Sequence, residues 1–167
     1  AWELSLKAKH RIKKLVLLNS AGYINDQNFP LPFVIAQTPV LRNVFNYIPK
    51  VVVRRFVRQV FYDQTVVTDE LVDRYFSLIH RAGNLDAFIR IANTKLVQNT
   101  NNLSEINIPV LIIWGDKDRW LSPKHAAYFN NNIPNSSVLM YENVGHIPME
   151  EIPERSAIDV RNFLLAE

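Results

Sequence analysis

Two short motifs in the last third of the chain contain the residue types of a catalytic acid–base pair. An apolar run ends in Trp-Gly-Asp-Lys-Asp at residues 114–118, and a second apolar run is followed by Asn-Val-Gly-His at residues 143–146. Asp118 therefore comes just after one predicted strand and His146 just after the next. In a parallel α/β sheet both side chains would lie at the carboxyl edge, where such sheets bind their ligands.

A histidine and a buried carboxylate at one sheet edge could perform general acid–base chemistry. One ring nitrogen of His146 can take a proton from a nucleophile, while a carboxylate bonded to the other nitrogen fixes the tautomer and stabilises the imidazolium. Asp116 is the alternative acid, although its position nearer the strand end is more typical of a turn residue. His146 alone could equally be a surface or packing residue, but the two strand–loop motifs together favour the catalytic interpretation.

The predicted strands and helices around this pair follow an α/β pattern. Short apolar runs bounded by charges, prolines or turn residues predict buried parallel strands at residues 15–18, 110–114 and 138–141. Ser122 and Pro123 predict the start of a helix that extends to about residue 131. Pro153 opens a last helix, whose apolar face we predict from Ala157, Val160 and Leu164.

Residues 23–100 have a different character and predict an inserted helical block. They contain 11 of the 18 aromatic residues. Apolar residues recur at helical spacing in residues 53–61 and again in residues 71–79. Thr68 is a good N-cap for the second of these helices, and Gly83 is its expected C-terminal stop. A further helix is predicted from residue 85 to about residue 97.

Composition argues against several classes of function. The absence of cysteine excludes disulfides, thiolate metal sites and cysteine nucleophiles. The net charge of +3 is uneven, but the basic residues of the first 95 positions are spread over several elements without a nucleic-acid-binding motif, so no nucleic acid is expected. No apolar run is long enough for a transmembrane helix, and no leader is visible, so we expect no membrane partner and favour a cytoplasmic location.

The whole chain resembles the C-terminal part of an α/β-hydrolase. Residues 14–22 resemble the sixth strand of that family and its exit, residues 108–118 the seventh strand with the acid loop, and residues 145–154 the histidine loop and final helix. The resemblance implies a partial α/β-hydrolase fold, with three parallel strands at one edge of the sheet and flanking helices. It assigns residues 1–22 and 101–167 to the core and residues 23–100 to a helical lid.

The resemblance also assigns roles to the candidate residues. It implies that Asp118 is the acid and His146 the histidine of a catalytic triad. The Gly-x-Ser-x-Gly nucleophile motif is absent, because no two of the four glycines are four residues apart. Ser20 follows a different strand and lacks flanking glycines, so we expect it to make a turn or loop hydrogen bond.

The implied activity is hydrolysis by acyl transfer, most readily of a carboxylic ester, with a nucleophile that lies outside this chain. Whether that nucleophile is Ser or Asp stays open, and with it the choice among ester, amide, epoxide, halide and carbon–carbon substrates. Without the nucleophile and the oxyanion hole, we expect the chain alone to be inactive. No cofactor is implied, and the Asp/His pair lacks a third ligand at the spacing of a metal site.

An apolar ester-like substrate and a partner at the sheet edge complete the expectations. Trp120 follows the acid and could line the substrate pocket, as could aromatic residues of the lid, although the core of the lid itself is the alternative place for each of them. These lid residues are Phe29, Phe33, Phe45 and Phe56. The alternative function is a non-catalytic fragment or interaction module. The unpaired apolar edge of residues 15–18 would then favour self-association or a complementary N-terminal segment.

Overall fold

The computed structural model describes residues 1–22, 30–39, 47–94 and 99–166. Its centre is a parallel sheet of β1 (Leu15–Leu18), β2 (Val110–Gly115) and β3 (Ser136–Tyr141), in the order β1-β2-β3. Leu15 lies opposite Val110, and Val110 lies opposite Ser136. The three predicted parallel strands are thus confirmed, although β3 begins two residues earlier than expected. Because all three strands are parallel, their carboxyl ends meet at one edge.

Every residue of the middle strand β2 is buried, because helices cover both faces of the sheet. On one face, α1 (Trp2–Lys7) and α6 (Lys124–Asn132) pack against alternate strand residues. The core on this face includes Trp2, Leu17, Ile112, Trp114 and Phe129. The other face is covered by α8 (Pro153–Leu165), which follows the short helix α7 (Pro148–Glu151). The core there includes Leu111, Ile113, Tyr141 and Val144.

The apolar face predicted for the last helix is correct at Val160, but the helix is rotated about its axis so that Ala157 and Leu164 face the solvent. Ala157 and Leu164 are exposed, whereas Ser156 is buried and Val160 and Phe163 pack towards the sheet. Polar contacts with the sheet set this rotation. The hydroxyl of Tyr141 donates to Asp159 Oδ2 at 2.8 Å, and Lys14 Nζ donates to the carbonyl oxygen of Phe163 at 3.0 Å.

Between β1 and β2 the chain forms a second, helical core. Its helices are α2 (Leu31–Gln37), α3 (Lys50–Val60), α4 (Asp69–His80) and α5 (Asn84–Ala92). They bury a shared set of side chains that includes Ala36, Val53, Val57, Val72 and Ala92. Helices α3, α4 and α5 are present where helical spacing predicted them, whereas α2 was not predicted as a separate helix. The Thr68 hydroxyl accepts a hydrogen bond from Leu71 N at 3.2 Å, which confirms the predicted cap.

Two helix ends in this block differ from the sequence prediction. Helix α4 ends at His80, and Gly83, with a left-handed φ of 83°, precedes α5 instead of stopping α4. Helix α5 ends at Ala92, because the side chain of Asn93 turns back and donates to the carbonyl oxygens of Ala36 and Ile89. Of the remaining predictions, Phe29, Phe45 and the segment 95–98 lie outside the described residues. No helix in the described ranges could span a membrane.

Candidate active site

The structure brings Asp118 and His146 into direct contact at the carboxyl edge of the sheet. His146 Nδ1 lies 2.8 Å from Asp118 Oδ2, although the two residues are 28 positions apart in the chain. The Asp118 side chain has no solvent-exposed area, whereas 20% of the His146 side chain is exposed. The pair therefore combines a buried carboxylate with an imidazole that solvent or a ligand can reach.

Four donors surround the Asp118 carboxylate. Its Oδ1 accepts from the backbone N–H groups of Trp120 and Leu121, at 2.7 and 2.9 Å. Its Oδ2 accepts from Asn19 Nδ2 at 2.7 Å, in addition to the contact with His146. Burial raises the pKa of this carboxyl, but the hydrogen bond and positive charge of His146, together with the Leu121 and Asn19 hydrogen bonds, outweigh it and hold the pKa below its usual value.

This arrangement determines how the imidazole can act. An ionised carboxylate only accepts hydrogen bonds, so the proton of a neutral His146 ring belongs on Nδ1. The Nε2 nitrogen is then the one with a lone pair that can take a proton. An imidazole oriented in this way is suited to general base chemistry, with the carboxylate stabilising the imidazolium that forms.

Asp116, the alternative acid, holds the turn rather than the histidine. Its Oδ1 accepts from Asn143 N at 2.7 Å, and its Oδ2 forms an ion pair with Lys117 at 2.6 Å. Burial raises the pKa of Asp116, but the hydrogen bonds from Lys117 and from the backbone lower it by more than burial raises it. The pKa of Asp116 therefore lies below its usual value. Asp116 therefore joins the acid loop to the histidine loop, in agreement with its interpretation as a turn residue.

Asn19 is a residue of this site that the sequence analysis did not identify. It directly follows β1, is 5% exposed, and has a left-handed φ of 41°. Its Nδ2 donates to Asp118, while its Oδ1 is buried without a hydrogen-bond partner among the described residues. The sequence signal that could have identified Asn19 is its position directly after β1, which ends at the same sheet edge as β2 and β3. The next residue, Ser20, donates to the carbonyl oxygen of Ala21 at 3.2 Å, as expected of a loop residue.

A cavity of about 450 Å³ lies in the helical block next to this pair. None of the described residues that line it is charged, and only Tyr75, Asn84 and Trp120 among them carry a polar side-chain group. The lining residues are Pro32, Ile48, Val53, Phe56, Val57, Val60, Tyr75, Leu78, Ile79, Asn84, Leu85, Ala87, Phe88, Ile91 and Trp120. Helices α3, α4 and α5 therefore form most of the wall, and Pro32, Ile48 and Trp120 complete it.

Five aromatic residues were predicted as candidate substrate contacts, and the three that the structure describes occupy different places around this cavity. Phe56 and Trp120 line it. The Trp120 ring also lies beside the His146 ring, with centroids 5.5 Å apart and an interplanar angle of 33°. Phe33 contacts Trp120 edge to face at 6.4 Å and Phe88 at 5.1 Å, so it packs behind the wall. Trp120 is therefore the side chain that joins the cavity to the histidine.

The described residues contain no group of three His, Asp or Glu side chains placed to hold a metal ion.

Comparison with known proteins identifies one family. A family model described as alpha/beta hydrolase fold matches residues 1–153. Lipase 3 of Moraxella sp. is 32% identical over 74 residues, which are 44% of this chain and 24% of the relative. A 2-hydroxy-6-oxononadienedioate/2-hydroxy-6-oxononatrienedioate hydrolase of Burkholderia vietnamiensis is 29% identical over 171 residues, which cover 96% of this chain and 56% of the relative.

Solved structures show the same fold. An alpha/beta hydrolase enzyme from a Medee basin deep-sea metagenome library has a TM-score of 0.80 at 20% identity, over 99% of this chain and 61% of that chain. A bacterial membrane phospholipase A has a TM-score of 0.77 at 23% identity, over 98% of this chain and 52% of that chain. The chain spans less than two thirds of the length of each of these relatives and neighbours.

Proposed function

The chain belongs to the alpha/beta hydrolase family, and we propose that it supplies the acid and the histidine of a site that hydrolyses carboxylic esters. The observation that carries this proposal is the 2.8 Å contact between His146 Nδ1 and a buried, four-donor Asp118 carboxylate at the carboxyl edge of the sheet. This contact leaves His146 Nε2 as the proton acceptor. The nucleophile would come from residues outside the 167 printed here, which contain no Gly-x-Ser-x-Gly motif.

In the proposed reaction His146 moves one proton at each stage. Nε2 takes the proton of the nucleophile hydroxyl as that oxygen forms its bond to the ester carbonyl carbon. The imidazolium then gives the proton to the departing alcohol oxygen when the carbon–oxygen bond breaks. Water repeats the sequence on the acyl-enzyme and releases the acid. Asp118 keeps its negative charge throughout and stabilises the imidazolium.

The apolar cavity favours a neutral acyl or alkyl group over a charged substrate. The relatives include both lipases and hydrolases whose names specify dioate substrates. Moving a carboxylate from water into a cavity whose described lining is uncharged would cost several kcal/mol or more, by order of magnitude. A hydrocarbon chain gains about 0.8 kcal/mol for each methylene buried there. We therefore propose a small ester with an apolar acyl or alkyl chain, in contact with Phe56 and Trp120.

We also propose that the helical block is a lid over this site. Helices α2 to α5 come between β1 and β2 in the chain and have a core of their own. They also form most of the cavity wall beside Trp120 and His146. In this proposal residues 23–100 form the lid, and residues 1–22 and 101–167 form the part of the hydrolase core that holds the acid and the histidine.

Two polypeptides test the proposal: the 167-residue chain, and the chain extended by the residues that precede Ala1 in its gene. We expect the extended polypeptide to hydrolyse a p-nitrophenyl ester of a medium-length fatty acid. Its His146→Ala and Asp118→Asn variants should be slower by about a thousandfold or more. The 167-residue chain should show no turnover. An extended polypeptide without esterase activity would refute the ester assignment, and turnover by the short chain that His146→Ala abolishes would refute the external nucleophile.

A second function, association through the sheet edge, is favoured by the pairing of β1. Within the described ranges, β1 pairs with β2 alone, so its other edge has no strand partner there. An apolar edge of this kind can take up another strand. We propose that the 167-residue chain self-associates or binds a complementary N-terminal segment through β1. Light scattering that shows a monomer at high concentration, together with no binding of that segment, would exclude this role.

A further inference from the structure

Glu151 is a buried carboxylate that the proposed reaction does not use. It is the last residue of α7 and is 7% exposed. Its Oε1 accepts from the backbone N–H groups of Tyr62 and Asp63, at 2.9 and 2.6 Å. Its Oε2 accepts from Gly145 N at 2.7 Å. One side chain therefore binds two segments that are more than 80 residues apart in the chain.

These segments are the end of a helix that lines the cavity and the loop that carries His146. Tyr62 and Asp63 lie just beyond α3, whose last residue is Val60 and whose C-cap is Phe61. Val60 lines the apolar cavity, and its carbonyl oxygen accepts from His146 N at 2.7 Å. The backbone of His146 is thus hydrogen-bonded to the cavity wall, and Glu151 holds the residues on both sides of that hydrogen bond.

The contacts of Glu151 require an ionised carboxylate rather than any polar side chain. All three partners are N–H donors, and a carboxylate offers acceptors on both oxygens. A glutamine of nearly the same size would place its NH₂ group against one set of N–H donors and leave that set without its acceptor.

The site also has no room for the loop to shift towards α3. A Cβ on Gly145 would lie 2.3 Å from the carbonyl oxygen of Val60 and 2.8 Å from Tyr62 N. Contact at these distances means that the two backbones already touch. The Glu151 hydrogen bonds therefore hold the histidine loop in one closely packed position.

We propose that Glu151 is a positioning residue that locks the His146 loop onto the end of α3, so that His146 keeps a constant distance from the apolar cavity and from Asp118. The attachment of the loop to α3 is inferred only from the contacts described above. Its catalytic consequence rests on the proposed function, in which the acyl or alkyl chain occupies the cavity while His146 Nε2 serves the reacting carbonyl.

The first test is amide hydrogen exchange in the 167-residue chain. The amides of Tyr62, Asp63, Gly145 and His146 should exchange slowly and with similar protection in the unaltered protein, because they open together. Glu151→Gln should speed their exchange by about 10- to 100-fold, as expected when hydrogen bonds to a charged acceptor are lost. Glu154→Gln is the matched control, because Glu154 is exposed on the next helix. Should Glu151→Gln fail to fold, amide exchange in the unaltered protein still tests the proposal. Rapid exchange of Gly145 and His146, or exchange that is independent of Tyr62 and Asp63, would show that Glu151 does not fix the histidine loop to α3.

The second test separates positioning from simple stabilisation. The proton on His146 Nδ1, bonded to Asp118, should give a distinct low-field resonance in the unaltered protein and in Glu154→Gln. In folded Glu151→Gln that resonance should shift or broaden, because the histidine loop is no longer held. If the resonance is unchanged while the protein is less stable, Glu151 only stabilises the fold and the proposal is wrong.

The third test uses the extended polypeptide. Glu151→Gln should lower kcat by roughly 10- to 100-fold, as a misplacement of about 1 Å does, and leave KM within about threefold. A rise in KM with kcat unchanged would contradict the positioning role. If the extended polypeptide has no esterase activity, the proposed function fails. The exchange and resonance measurements still test whether Glu151 positions the histidine loop.

Discussion

Gly115 lies so close to Gly145 that a Cβ on Gly115 would fall 2.2 Å from the carbonyl oxygen of Gly145. The same Cβ would lie 2.3 Å from the carbonyl oxygen of Val144. The glycines of the two motifs thus allow the acid loop and the histidine loop to pack backbone against backbone. This close approach places Asp118 within hydrogen-bond distance of His146.

We predict that Gly115→Ala separates the two loops. Its methyl group has only backbone atoms as close neighbours, which cannot move aside as a side chain can, so we expect a loss of about 3 kcal/mol in the free energy of unfolding. Gly83→Ala is the control. Gly83 has no atom within 4 Å of the added Cβ, so only its left-handed φ of 83° costs energy, about 1 kcal/mol.

Urea unfolding and the His146 Nδ1 proton resonance measure the two effects. Only Gly115→Ala should perturb the resonance, because only this substitution moves the loops apart. Equal losses of stability with an unperturbed resonance in both variants would show that close packing at Gly115 does not position the pair.

Asn19→Gly should destabilise the protein even though it relieves the backbone. Glycine adopts the left-handed φ of 41° without strain. The substitution also removes the hydrogen bond from Asn19 Nδ2 to the buried Asp118 carboxylate, which is worth about 1.5–3 kcal/mol. We expect a net fall of about 1–2 kcal/mol in the free energy of unfolding by urea.

Asn143→Gly is the matched control for this substitution. Asn143 also has a left-handed φ, 57°, but it is exposed. The same change should therefore be neutral or slightly stabilising. If both variants have the same stability, the hydrogen bond between Asn19 and Asp118 contributes nothing, and the role of Asn19 in holding the acid is refuted.

The lowered pKa of Asp118 predicts a loss of stability in acid. Burial alone would raise this pKa, but the His146, Leu121 and Asn19 interactions lower it below the usual value, so the folded state binds fewer protons at this site than the unfolded chain. The stabilisation is complete above the unfolded-state pKa of about 3.9 and is lost as the pH falls through the lower, folded-state value.

Urea unfolding at about pH 6 and at about pH 3 measures this contribution. The free energy of unfolding should fall less between these two conditions in Asp118→Asn than in the unaltered chain, since asparagine has no carboxyl to titrate. Other carboxyls with lowered pKa values, including Asp116 and Asp69, leave a remaining acid dependence in both proteins. An identical fall in the two proteins would mean that Asp118 is not stabilised in its charged form.

Ala87→Phe should reduce the space available in the apolar cavity. Ala87 lines the cavity and is exposed, so a larger side chain can fill the opening without being forced into the core. Each methylene of a ligand that is kept out forfeits about 0.8 kcal/mol, so the exclusion of two weakens binding roughly tenfold. Displacement of an environment-sensitive apolar dye by 1-decanol measures this binding in the 167-residue chain.

Ala157→Phe provides the control for the cavity, because Ala157 is exposed on α8. It should bind 1-decanol as the unaltered chain does. Equal affinity in Ala87→Phe and in the control would indicate that the alcohol binds elsewhere, and would remove the support that the cavity lends to an apolar substrate.

Several parts of this structure could be predicted because their signals are local. A run such as residues 110–114 is apolar throughout and bounded by proline and glycine, which is enough to predict a buried parallel strand. The same holds for the Thr68 cap, where the hydroxyl and the amide it binds are three residues apart. Local signals were weaker at helix ends and helix faces. The predicted helix end near residue 97 and the Ala157 and Leu164 positions of the last apolar face were wrong, because hydrogen bonds of Asn93, Tyr141 and Lys14 to residues distant in the chain decide those features.

Three parallel strands could be predicted, with an acid in the loop after one of them and a histidine in the loop after another, because strand and loop patterns arise between near neighbours in the chain. The contacts that hold those two side chains could not be predicted in this way. The Asn19–Asp118 hydrogen bond joins residues 99 positions apart, and the Glu151–Tyr62 hydrogen bond joins residues 89 apart. A hydrogen bond over such a separation leaves no periodicity in the sequence. It exists only once packing has brought the two backbones together and removed the water that would otherwise satisfy their polar groups.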